Sequence, residues 1–273
     1  MNPNEIECSG QVNIESITRD TGGVTSHSRM QLAQLAINQQ TGAISGIGPG
    51  VIRTTQFGSS MAALASPAGN ATKPVAPAAN SAGSKLFFLR VDFHSGLKGN
   101  IYLRELTFHN RIRTVYGPVD SWQQELDLTQ PETLPPESLT LTCDDLQLNE
   151  DPLAARIVAT PQNGIKKPIG PVQLKAMGDV RLAGQVPGQG DFNVQADQAS
   201  YDQYKDLFTL EGDTRTPAKL WRRSGGGQVG PPTEARKIRY TRSTGEIKVE
   251  GIQYFEITPA DLQNARRPKQ PTK

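Results

Sequence analysis

The stretch VQADQASYDQYKDLFTLEGD (194–213) is followed at a fixed distance by ARKIRYTRSTGEIKVEG (235–251). Ala196 and Ala235, Tyr201 and Tyr240, Glu211 and Glu250, and Gly212 and Gly251 each stand 39 positions apart (235 − 196). Between the shared positions, apolar and polar residues alternate: Phe208 and Leu210 around Thr209, then Ile247 and Val249 around Lys248. Period two sends one set of side chains to a buried face and the other to water, so each copy reads as strand, turn and strand. A hairpin cannot bury its apolar face alone, and a repeated hairpin has to stack on its neighbours.

The unit has further copies. LAINQQTGAISGIG (35–48) superposes on 238–251, pairing Leu35 with Ile238, Ile37 with Tyr240, Gly42 with Gly245, Ile44 with Ile247 and Gly48 with Gly251. CSGQVNI (8–14) matches AMGDVRL (176–182) through Gly10 and Gly178, Val12 and Val180, and Ile14 and Leu182. LTLTCDDLQL (139–148), LKAMGDVRLAG (174–184) and DFNVQA (191–196) alternate in the same way. Turn residues divide these runs at 202–206, at 243–245 and in the glycine cluster 225–227, and GIGPG (46–50) reads as a tight turn. The expectation is an all-β, antiparallel fold with at most a short helix in PADLQNARR (259–267).

Two stretches break the pattern. Residues 58–84 are mostly Ala, Ser, Pro and Gly with one charge, Lys73, and read as a flexible insertion with too little bulky apolar surface to repay ordering. The tail from 259 to 273 ends in the basic, proline-broken ARRPKQPTK and reads as solvated. These divide the chain into an N-terminal repeat unit (1–57), the linker (58–84), a main unit (85–258) and the tail (259–273).

Composition removes several function classes. A formal net charge of +2 over 273 residues offers no concentrated basic face for nucleic acid. No apolar run approaches the ~18 residues of a spanning helix. The opening MNPNEIECSGQVNIE contains no basic segment followed by an apolar core, which suits either a cytoplasmic protein or a piece of a longer chain. Cys8 and Cys143 belong to no Cys-x-x-Cys pair, and with His27, His94 and His109 they make a poor metal set. A free buried cysteine is a commoner outcome than a disulfide between them. Neither a Gly-x-Ser-x-Gly elbow nor a His-Glu-x-x-His motif occurs, and SGGGQVG (224–230) lacks the Lys-Ser/Thr ending of a phosphate loop. Asp144 and Asp145 are strand neighbours that point to opposite faces, so they do not form a catalytic pair, and Asp145 reads as solvated. No catalytic residue, metal ligand or cofactor is expected.

Taken together, Ala196, Ala199, Tyr201, Asp202, Phe208, Leu210 and Gly212, followed by Ala235, Ile238, Tyr240, Thr244, Gly245, Ile247, Val249 and Gly251, resemble the OstA-like repeats of lipopolysaccharide-transport proteins. The match spans 176–251, with a weaker copy at 8–52. The resemblance implies a V-shaped β-jelly roll, open along one side, that holds acyl chains in its apolar interior. It also implies joining to similar domains through edge strands, and a place in the periplasm or cell envelope. The implied partners are lipopolysaccharide or another multi-acyl envelope lipid and other jelly-roll transport proteins. The inward, lipid-facing set would be Val180, Leu182, Val194, Tyr201, Phe208, Leu210, Ile238, Tyr240, Ile247 and Val249. Period-two patterning by itself fits a closed, dry core equally well. Two alternatives therefore stand beside it: a β-repeat scaffold assembling through strand edges without a ligand, and a jelly-roll carbohydrate binder, for which Trp122 and Trp221 offer few aromatics.

Overall fold

The structure is a computed structural model that describes residues 4–20, 23–57, 85–150, 172–186, 190–202, 205, 207–213, 215–222, 231–241 and 246–254. The 58–84 insertion, the turn at 243–245, the glycine cluster and the tail lie outside these residues, as does the segment with the expected short helix. The described chain is β-structure. Two long N-terminal strands, β1 (Glu5–Asp20) and β2 (Gly23–Asn38), are followed by the short β3 (Ala43–Ile47) and β4 (Gly50–Phe57). Next come β5 (Leu86–Phe93), β6 (Gly96–Asn100), β7 (Glu105–Val119) and β8 (Leu139–Glu150). The C-terminal part holds β9 (Val172–Val186), β10 (Gly190–Asp202), β11 (Leu207–Glu211), β12 (Ala218–Arg222), β13 (Thr233–Thr241) and β14 (Glu246–Tyr254). All fourteen join one antiparallel sheet, so the all-β antiparallel jelly-roll expectation holds.

The short strands reveal how that sheet is built. β3 and β4 are consecutive but do not pair with each other. β3 pairs with the C-terminal half of β2 and with β6, while β4 pairs with the N-terminal half of β2 and with β5. β3 and β4 are therefore one strand position interrupted at Gly48-Pro49. The expected tight turn at GIGPG is instead a crossing, because the chain continues in the same direction beyond it. β5 and β6 are interrupted in the same way at His94-Ser95, and β11 and β12 at 212–217.

The interruptions align with irregularities in the long strands. Register shifts fall between Ser9 and Val12 in β1, between His109 and Ile112 in β7, and between Thr142 and Asp145 in β8. Left-handed backbone occurs at the same level: Gly10, Gln11, Asn110, Arg111, Gly178, Asp179 and Gly251 all have positive φ. Hydrogen bonds from Gly48 N–H to Ser95 O (2.7 Å), from His94 N–H to Asn110 O (2.9 Å) and from Gly212 N–H to Arg236 O (2.9 Å) run along this line. A bulge bends the strand that carries it and re-aims its side chains. Here the bulges form a crease across the whole sheet, dividing it into two wings. The first wing holds β3, β6, β11 and the adjoining halves of the long strands; the second holds β4, β5, β12 and the other halves.

The core lies in the angle. One continuous cluster takes Leu35, Leu97, Phe108, Leu146, Ala176 and Ile238 from the first wing, and Val91, Phe93, Ile112, Leu141, Val180 and Ala235 from the second. The ring centroids of Phe93 and Phe108, one from each wing, are 5.5 Å apart. Strands β1 to β4 share this sheet and core with the rest, through β3–β6 and β4–β5 pairing. A smaller second core of Phe88, Val115, Val119 and Leu126 forms where residues 120–138 fold over the outside of the second wing. That cover is fixed by Trp122 meeting Phe57 edge-on at 5.2 Å and by an Arg53–Glu125 ion pair of 3.1 Å.

Candidate functional site

Direct strand pairing arranges the inner face of the first wing into two rows. Beside the crease run Leu35, Gly46, Leu97, Phe108, Leu146, Ala176, Ala199, Leu210, Ile238 and Val249, each opposite the next on neighbouring strands. One pleat farther out run Ile37, Ile44, Gly99, Leu106, Leu148, Leu174, Tyr201, Phe208, Tyr240 and Ile247. The sequence repeats map onto these rows. Leu35 and Ile238 share the deep row, Ile37 and Tyr240 share the outer one, and Gly10, Gly178 and Gly251 mark the crease.

Burial falls from the deep row to the outer row. Leu146 and Phe108 are each 1% exposed, whereas Leu148 and Leu106, two residues along the same strands, are only half-buried. Phe208, Tyr240 and Ile247 are half-buried as well, while Tyr201 is buried. The three aromatics form a ladder, with Tyr201–Phe208 centroids at 4.3 Å and Phe208–Tyr240 at 6.4 Å. Such a row offers broad, stiff apolar surface with few rotamers to freeze.

On the second wing the inner row next to the deepest one is Ile14, Met30, Ile52, Val91, Thr114, Leu141, Leu182, Val194 and Leu220. The row beyond it begins polar with Ser16, Ser28 and Thr54, then turns apolar with Leu89, Tyr116, Leu139 and Phe192. Closure reaches farther out at the middle of this wing, where Phe87 and Tyr116 are both buried and stack with centroids 5.4 Å apart, while Met30, Ile52, Leu89, Leu182 and Phe192 are half-buried. The result is an apolar trough that is shut along the crease and partly open along the outer rows. All ten residues of the inward set lie on this inner face: Val180, Leu182 and Val194 on the second wing, and Tyr201, Phe208, Leu210, Ile238, Tyr240, Ile247 and Val249 on the first. The repeats do not reach the matching central stretch, so Leu106, Phe108, Leu146 and Leu148 are inner-face residues that sequence reasoning did not name. The alternation of LTLTCDDLQL carried part of that signal.

The polar groups outside the trough do not converge. His109 Nδ1 and Asp145 Oδ1 are 2.8 Å apart beside the crease, which places Asp145 in a hydrogen bond rather than free in water. Asp144 abuts Gly178, where a Cβ would lie 2.4 Å from its carboxylate oxygen. His27 pairs with Glu15 at 2.7 Å, and that bond together with the one from Arg29 holds the Glu15 carboxyl below its ordinary range. Both cysteines are free: Cys8 is exposed, and Cys143 is buried at the crease. Burial pushes the Cys143 thiol up to about 12. Among the described residues no group of His, Cys, Asp and Glu could hold a metal ion, and no helix is long and apolar enough to cross a membrane. A depression of ≈ 520 Å³ on the second wing is lined by Thr140, Thr142, Arg181, Ala183, Asn193, Gln195 and Trp221, together with Leu182 and Val194 of the inward set. Arg181 there is tied to Asp179.

No family model matches this chain, and no curated protein matches it. Among solved structures, the chain is similar to LptH of Pseudomonas aeruginosa, described as the LptA-homologous periplasmic component of the lipopolysaccharide transport device. That likeness covers 63% of this chain and 90% of LptH, at 12% identity and a TM-score of 0.35.

Proposed function

We propose that this protein is a non-enzymatic lipid carrier or bridge of the cell envelope, holding acyl chains of lipopolysaccharide or another multi-acyl lipid in the trough. The observation that carries the reading is the half-buried outer row of the first wing. A dry sandwich closes its inner rows on both sheets, but here Leu106, Leu148, Leu174, Phe208, Tyr240 and Ile247 stay partly open. Hydrocarbon laid against them leaves water at about 0.8 kcal/mol per buried methylene, with no directional chemistry needed. The polar start of the second wing's far row, Ser16, Ser28 and Thr54, gives uncharged hydrogen-bonding groups at one end of an otherwise apolar channel.

Partners would join at the ends of the sheet. Among the described residues β1 pairs only with β2, and β14 only with β13. Unpaired strand edges are ready templates for another strand. The proposed location is the periplasm or cell envelope, where such lipids travel.

The test is a photo-crosslinking side chain at Phe208 or Ile247, against controls at Thr209 and Lys248 on the opposite face of the same strands. Lipopolysaccharide, or another multi-acyl envelope lipid, is captured at the first two positions and not at the controls. Equal capture at all four means nonspecific adsorption. No capture at any of them, with the protein folded, favours the ligand-free scaffold.

A further inference from the structure

The turn from β6 to β7 exposes Ile101 (48%), Tyr102 (60%) and Leu103 (56%), three consecutive large apolar residues. The other strongly exposed apolar residues are placed differently: Ile6, Ile14 and Ile17 lie on the edge strand β1, Ile47 stands alone on the outer face of β3, and Phe57 meets Trp122. Bonds to the neighbouring turn at 39–42 fix its shape. The Asn100 carboxamide oxygen accepts the backbone N–H groups of Tyr102 and Leu103, at 2.9 and 3.0 Å, and its Nδ2 donates to Thr41 O at 3.0 Å. The N–H of Ile101 donates to Gly42 O at 2.9 Å, and the Tyr102 hydroxyl donates to Gln39 O. Gly42 has φ +74°, and a Cβ there would lie 2.5 Å from the Tyr102 ring, so only glycine lets the ring lie against this turn.

We infer that this tip is a membrane-surface anchor, which inserts Ile101, Tyr102 and Leu103 into the boundary between headgroups and acyl chains of a lipid bilayer. Two points select a bilayer over a protein. The tip offers a few hundred Å² at most, far short of the ~800 Å² per partner that a standard protein interface buries. Its composition suits the boundary, with an amphipathic tyrosine between two aliphatic side chains and the exposed charged residues Lys98, Arg104 and Glu105 at its base. The outer-row pair Gly99–Leu106 is followed by the polar pair Asn100–Glu105 and then by the turn. Because the tip is already ordered, insertion freezes little further backbone freedom.

Flotation of the full chain with phosphatidylcholine–phosphatidylglycerol vesicles tests this. The unaltered protein floats with the vesicles, and Ile101→Ser with Leu103→Ser lowers the partition coefficient about tenfold or more through lost apolar burial. Ile47→Ser, at an equally exposed site on the outer face of β3, leaves it unchanged. Circular dichroism confirms that the variants fold. Failure of the unaltered protein to float, or equal flotation of the double variant, overturns the inference. Crosslinking at Phe208 with lipid dispersed in detergent reads the trough independently, so loss of one property is distinguishable from loss of the other.

Discussion

Leu146→Ala and Leu148→Ala compare the two rows of the first wing with one chemistry on one strand. Leu146 is 1% exposed, between Phe108 and Ala176 in the deep row, and Leu148 sits two residues away on the same face, half-buried between Leu106 and Leu174. Truncating Leu146 removes a fully buried isobutyl group and leaves a cavity under both wings, costing about 3 kcal/mol within the range of buried Leu→Ala changes. Truncating Leu148 forfeits roughly half the transfer energy of a leucine and opens no enclosed void, costing about 1 kcal/mol. Unfolded-state effects nearly cancel between two leucines this close in sequence. Urea unfolding of lipid-free protein, followed by circular dichroism, reads the difference as midpoint shifts in a ratio of about three to one at unchanged slope. Equal shifts, or a larger one for Leu148→Ala, would mean that the outer row is as enclosed as the deep row, and the trough argument would fail.

The remaining predictions concern the crease, the thiols and the edges. Gly178→Ala forces a Cβ to 2.4 Å from the Asp144 carboxylate at φ +75°, whereas Gly10→Ala meets nothing within 4 Å at φ +79°. Thermal melts should therefore show about 1–2 kcal/mol of left-handed backbone cost for Gly10→Ala and a clearly larger loss for Gly178→Ala; equal losses would refute the steric account. At pH 8 iodoacetamide should modify Cys8 rapidly and spare Cys143, whose folded thiol stays protonated up to about 12 and is buried. Because that value is raised on folding, the contribution of Cys143 is fully present below the unfolded thiol pKa, ~8.5, and is lost as pH rises from there toward 12. Rapid modification of both cysteines in folded protein would contradict this placement. Light scattering across a concentration series should show linear growth of oligomers if β1 and β14 pair between copies, and a constant monomer mass with every jelly-roll partner ignored would remove the edge-pairing proposal.

Much of the trough was legible because the repeats are written in register with the structure. Ala196 and Ala235, or Tyr201 and Tyr240, recur 39 positions apart because that distance carries the chain to the same row of the same wing. The crease was only half legible. Its glycines stood out, but the consecutive left-handed residues Asn110 and Arg111 did not, since arginine gives no hint of positive φ; they are held there by neighbouring strands, as in the bond from His94 N–H to Asn110 O. GIGPG misled for a related reason. Gly and Pro signal a break in a strand, and only the partners on either side decide whether the chain reverses or crosses. The central wall formed by β5 to β8 lies outside the repeats, so apart from the alternation in β8 its inner residues emerged from pairing.

The crease also constrains how such a protein can change over evolution. Every pass of the chain crosses it, and the connections the sequence lengthens all join strand ends far from it: 58–84 between β4 and β5, 151–171 between β8 and β9, and 223–230 between β12 and β13. Insertions at those rims leave the pairing of both wings untouched, while one residue added at the crease would switch which side of a wing faces inward. Duplicating a whole hairpin adds two strand widths, about 10 Å, to the channel without disturbing its cross-section. Channel length can thus drift by copying, while its bore is conserved by the bend.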